Sequence, residues 1–218
     1  MHHGGRVAVL LDGESLRKVL KRVLRREPAH ADILAEVERI KSSQQCEPFS
    51  TYRVYYYTAD PITGQKHHPL DGSVLDFSNT DVFRANQALI SALELSPQFA
   101  VRRGTLLHHG WQIGRKATTE LQRGRKSTIE ARDIIPRIEQ KGVDMRIGLD
   151  IASLALTRIV EAIVVVTGDA DLVPAMKLAR REGLQVFLDT VGHTAGRREL
   201  RAHADGVLKR DAENVGPS

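Results

Sequence analysis

Residues 6–11 (RVAVLL) form a continuous apolar run stopped by Asp12-Gly13, the pattern of a buried strand entering a turn. Residues 14–27 change rhythm: Leu16, Val19, Leu20, Val23 and Leu24 recur at helical spacing, and the other face carries Arg17, Lys18, Lys21, Arg22, Arg25 and Arg26. A second helix is expected over 31–42 and a strand over 51–58, with Tyr55 and Tyr57 on one face and Tyr56 on the other. Residues 59–73, rich in Pro, Gly and Asp, read as a loop, 81–95 as a helix, and 98–107 as a strand bending at Gly104. The basic, Gly-bearing stretch 108–128 predicts a mobile loop or hairpin, and 129–140 a short helix interrupted at Pro136. Over 143–159 a helix is expected, with Met145, Leu149, Ala152 and Leu156 on its apolar stripe. The run 161–167 is apolar throughout, as in a strand covered on both faces. A helix over 171–182 follows, capped by Asp171 with Pro174 in its first turn and Gly183 past its end. A strand over 184–190, a short helix over 195–205 and a last strand over 206–209 complete the pattern.

Strands that alternate with helices predict an α/β fold with a mainly parallel sheet and helices on both faces. The pattern contains no internal repeat. It is read as a single domain over 6–210, a disordered segment over 1–5 and a flexible tail over 211–218.

Of 218 residues 41% are hydrophobic, enough for a core, so a disordered chain is excluded. The net charge of +5 permits a polyanionic partner without requiring one. One cysteine, Cys46, excludes an intrachain disulfide and reads as an incidental surface thiol. No apolar run is long enough for a signal peptide or a membrane helix, so a cytoplasmic protein without membrane association is expected.

The candidate chemistry is acidic. In open parallel sheets, sites form beyond the carboxyl ends of the strands. Asp12 follows the first strand, Asp169 and Asp171 follow the run 161–167, and Asp144 opens a helix. Asp at such positions also serves turns and helix caps, which suffices for any one of these residues alone. Four clustered carboxylates repel one another and call for a cation or shared protons. Hard oxygen donors suit Mg²⁺ or Mn²⁺, which can orient a phosphodiester for hydrolysis.

The blocks LLDGES, KGVDMRIGLD and VTGDADLVP, in this order, resemble the signature blocks of the NYN domain family, of the LabA-like (DUF88) type, within the PIN-like nuclease superfamily. The resemblance spans residues 6–209. It implies a three-layer α/β/α PIN-like fold and metal-dependent ribonuclease activity on single-stranded or structured RNA. It places Asp12, Asp144, Asp169 and Asp171 on the acidic positions that bind metal and carry catalysis. Lys141 and Asp150 fall on the middle block, and Thr167 on the hydroxyl position before Gly168. Asp150 lies further along the helix from Asp144 and points to a different side, so it is expected to support the site rather than ligate. The first block of the family often reads Asp-x-x-Asn; here the Asn position is Ser15, which shortens the reach toward substrate.

Phosphates need accessible Lys and Arg. The basic face of 14–27 is one candidate, although a solvated helix face reads the same way. The stretch 102–126 is the other, with Arg102, Arg103, Arg115 and Lys116, and with Trp111 as the expected base-stacking residue. His67, His68, His108 and His109 read as loop residues. The Ser15 departure keeps a non-catalytic RNA-binding module as one alternative, and a nuclease toxin restrained by a partner is a second. A phosphatase of the haloacid dehalogenase type ranks below both, because Glu14 stands where that chemistry uses a second Asp. The sequence leaves room for a homo-oligomer.

Overall fold

The computed structural model describes residues 4–191 and 197–209. The expectations for residues 1–3 and the tail, and part of the segment 195–205, lie outside the described residues.

The expected strands β1 (Arg6–Asp12), β2 (Ser50–Asp60), β5 (Phe99–Ile113), β7 (Ala162–Val166), β8 (Gln185–Asp189) and β9 (Gly206–Val207) all form. With β6 (Ile134–Lys141) they make one seven-stranded sheet in the order β6-β5-β2-β1-β7-β8-β9. All neighbours are parallel except β6, which runs antiparallel to β5.

Side chains alternate across this sheet into two cores. Leu10, Tyr57, Ile163 and Val165 face α5 (Val143–Thr157) and α6 (Val173–Arg181), meeting Ile147, Ile151 and Met176. Val9, Leu11, Tyr56 and Val164 face α1 (Gly13–Leu24), α2 (His30–Lys41) and α3 (Asp81–Glu94), meeting Leu16, Ile33 and Leu93. The tyrosines of β2 split between the two faces as their alternation requires. The result is a three-layer α/β/α sandwich, in which each fully buried Leu or Ile contributes about 1.5–3 kcal/mol relative to exposure.

Several expectations are corrected. The loop 59–73 contains β3 (Gln65–His67), which forms a separate hairpin with β4 (Val74–Asp76). Of the mobile loop or hairpin expected over 108–128, the structure has the hairpin: β5 continues to Ile113, α4 (Arg115–Gln122) follows, and β6 returns antiparallel to β5. Residues 134–141 are the edge strand β6 and not a helix, with Pro136 opposite Trp111 beside a register shift; edge strands tolerate Pro. The stripe assigned to α5 is also reversed. Ile147, Ile151 and Leu154 are buried, while Met145, Leu149 and Leu156 are 68%, 61% and 63% exposed. Cys46 is not a surface thiol: it is buried in the core under α2, and burial raises its pKa.

Candidate active site at the carboxyl edge of the sheet

β1 and β7 are hydrogen-bonded neighbours, so the segments that follow them emerge side by side. Asp12 ends β1 and caps α1. Its Oδ1 accepts the Glu14 and Ser15 amides at 3.1 and 3.2 Å, and its Oδ2 accepts the Ser15 hydroxyl at 2.5 Å and the Thr167 hydroxyl at 3.3 Å. Ser15 therefore holds Asp12 in place. Thr167, fully buried at the end of β7, also accepts the Asp169 amide at 3.0 Å, so one hydroxyl ties both acidic segments together.

Asp169 is a cap. Its Oδ1 accepts the Asp171 amide at 2.9 Å and opens a 3-10 turn over Ala170–Leu172 that leads into α6. The capping expected of Asp171 thus belongs to Asp169, and Asp171 is left exposed. The extra turn explains the change: it delays the start of α6 to Val173, out of reach of Asp171 as its cap.

Asp144 lies in the first turn of α5, reached through Gly142, whose φ of 75° is the left-handed geometry that favours glycine. Burial raises the pKa of Asp144, and the nearby charges of Asp169, Asp12, Asp171 and Glu14 raise it further. A carboxyl with a raised pKa in the folded state adds stability below its ordinary range near pH 4, and that stability is lost as pH rises through the folded pKa. Asp144→Asn should therefore raise the melting temperature at pH 7, with the gain vanishing near pH 3.5; thermal melts of both proteins at the two pH values check this.

Asp150 accepts the Tyr57 hydroxyl at 2.9 Å and Arg102 Nε at 2.9 Å, in keeping with a supporting position. Burial and the Asp150 charge push the Tyr57 pKa far up, keeping it a donor.

The expected phosphate and base contacts are dispersed. Arg102 is committed to Asp150, Arg103 pairs with Asp60 at 3.1 Å and with Glu94, and Lys141 pairs with Glu139. Trp111 packs against His68, a loop residue just past β3 as expected, and against His108, which lies in β5 rather than a loop, with ring centroids 4.8 and 5.8 Å away. At about 3.3 Å per residue, Trp111 lies roughly 30 Å along β5 from Arg102, which is level with Tyr57 and Asp12. Arg115 and Lys116 begin α4 beyond it. Trp111, Arg115 and Lys116 thus lie at the far end of the arm from the carboxylates.

What does adjoin them is a cleft of about 350 Å³ lined by Gly13, Glu14, Arg17, Lys18, Lys21 and Asn86, among others. Its cations are partly offset: Lys18 pairs with Glu14, while Arg17 (3.3 Å) and Lys21 pair with Glu27. Glu14 and Asn86 escaped the sequence reading. Glu14 was legible as a first-turn acid beside Asp12; Asn86 gave no signal.

A family model, the NYN domain, matches residues 6–211. The chain belongs to the NYN domain family. That family lies in the PIN-like nuclease superfamily, and the sheet and layers described above are those of a PIN-like fold. The crystal structure of a protein of unknown function from Vibrio parahaemolyticus is similar at a TM-score of 0.51 and 15% identity, covering 98% of this chain and 97% of that one; at that identity the likeness concerns the fold. No curated protein matches the chain. Among the described residues no helix is long and apolar enough to cross a membrane.

The NYN carboxylates fit a hard divalent cation by donor type and by the field they share at Asp144. Among the described residues, however, no three His, Cys, Asp or Glu side chains are grouped closely enough to hold an ion as they stand. A cation would have to draw them together.

Proposed function

We propose that this NYN protein is a metal-dependent endoribonuclease acting on single-stranded or structured RNA. The observation that carries the reading is the meeting of acidic segments at one edge of the sheet: Thr167 at the end of β7 donates to Asp12 and accepts the Asp169 amide, and burial, with the charges of Asp169, Asp12, Asp171 and Glu14 from those two segments, raises the pKa of Asp144. Asp12, Asp144, Asp169 and Asp171 would hold Mg²⁺ or Mn²⁺. When bound, the ion supplies Lewis-acid stabilisation of phosphate charge and makes water a better nucleophile.

The chain's own residues do the positioning. Ser15 and Thr167 fix the Asp12 carboxylate, and the Asp171 amide fixes that of Asp169. Arg17, Lys18 and Lys21 line the adjoining cleft, where a phosphate backbone would exchange with Glu14 and Glu27 for their charges. End-labelled RNA incubated with Mn²⁺ should be cut internally, and EDTA should stop the cutting. Cutting that continues in EDTA would rule out the metal.

A second reading, an RNA-binding module that does not cut, draws on Asp12 itself. Four hydrogen bonds already meet the lone pairs of its two oxygens, which leaves little capacity for an ion. It predicts salt-sensitive RNA binding unaffected by EDTA and no product on long incubation.

A further inference from the structure

Buried polar atoms are normally paired, and each exception asks for a cause. Two exceptions border the cleft beside Glu14. Arg17 Nε, a donor, and Asn86 Oδ1, an acceptor, are both buried without a hydrogen-bond partner. The cleft continues into a second depression of about 250 Å³, which shares Asn86, Leu106 and Ile138 with it. This second part is almost wholly apolar, walled by Ile62, Phe77, Phe83 and Pro136. Ile138 on its rim is 41% exposed, so apolar surface is open there.

A charged cleft that leads into an apolar pocket lined by two phenylalanines, with one amide at the junction, suits a nucleotide. The phosphate is anionic and accepts from a guanidinium. The base has apolar faces that stack on aromatic side chains, and an edge that needs hydrogen bonds. Asn reads adenine through a bidentate pair, its carbonyl accepting from the amino group and its amide N–H donating to a ring nitrogen.

We propose that this pocket seats one adenine base of a bound RNA strand, read by Asn86, with a neighbouring phosphate on Arg17. The RNA rests on the ribonuclease reading above; the base pocket makes that reading sequence-selective. Asn86 is a specificity residue here and takes no part in bond cleavage. It reaches the bases through the pocket built by α3, the hairpin of β3 and β4, and the β5–β6 arm.

The test is binding in EDTA, which separates the pocket from catalysis. Fluorescence anisotropy with short oligoadenylate, oligocytidylate and oligouridylate is measured for the wild type, Asn86→Leu and Phe83→Ala. The wild type should prefer oligoadenylate by roughly tenfold, the scale of one good base contact. Asn86→Leu should lose that preference while keeping its oligouridylate affinity, and Phe83→Ala should weaken oligoadenylate binding. Equal affinities in the wild type would overturn the proposal and leave the two orphaned atoms to buried water. So would a preference for another base, or one that survives in Asn86→Leu. Binding of 5′-AMP as tight as that of oligoadenylate would overturn the assignment to an RNA strand. An adenine preference without Mn²⁺-dependent cleavage would sink the nuclease reading and leave the pocket standing; cleavage without base preference would do the reverse.

Discussion

Asp169→Asn should cut RNA about 10²–10³-fold more slowly in Mn²⁺, the loss expected when one electrostatic contact to developing charge is removed. Its melting temperature should stay within about 2 °C of the parent. The two halves of this expectation have separate causes. Asp169 has a structural task, accepting the Asp171 amide at 2.9 Å to open the turn before α6. Asn caps as well as Asp, so that task survives the substitution. Only the charge is lost, and the charge is what an ion would need. Asp169→Ala would confound the two, because losing the cap costs about 1 kcal/mol by itself. Unchanged cleavage by Asp169→Asn would remove Asp169 from the catalytic set, and a large drop in melting temperature would make it a structural residue first.

Gly13→Ala should destabilise the protein by about 2–3 kcal/mol, the cost of overpacking a rigid interior. For a chain of this size that lowers the melting temperature by roughly 5–10 °C. A methyl group at Gly13 would lie 2.8 Å from the Tyr56 ring carbon that carries the hydroxyl, and closer still to the Tyr57 carbonyl oxygen. Neither neighbour can give way easily. Tyr56 is fully buried, and the Tyr57 backbone belongs to β2, in register with Asp12. The start of α1 must shift instead, taking with it the amides that bind Asp12. Activity should therefore fall alongside stability. Thermal melts and Mn²⁺-dependent cleavage of the same preparation check both, and a melting temperature unchanged by Gly13→Ala would show that α1 does not press on β2 as described.

The central strands and the acidic edge were legible for a simple reason. β1 and β7 are apolar at nearly every position, as only a strand covered on both faces can be, and each ends at an acidic turn. α5 was legible as a helix but not in its orientation. It is apolar almost all round, so spacing cannot say whether Ile147 and Ile151 or Met145 and Leu149 face the sheet. The β5–β6 arm was legible only as a strand start followed by a loop or hairpin, and β6 was missed, because local composition argued against strands there. Gly110, Pro136 and clustered charges mark loops in isolation, and only the pairing of the two strands overrides them. The cleft was legible only in its basic wall, Arg17, Lys18 and Lys21 on the face of 14–27; Asn86 lies far from them in sequence and joins them only through folding.

A sheet with open margins invites growth by a passing strand of another copy, the first step of aggregation. Here the β6 margin carries Pro136, which cannot donate to such a newcomer, together with the charges of Arg137, Glu139 and Lys141. The opposite margin, β9, is only two residues long and gives a newcomer little to grip. Both margins are blunted in ways that protect solubility, so the feature that hid a strand from pattern reading also guards the molecule at high concentration.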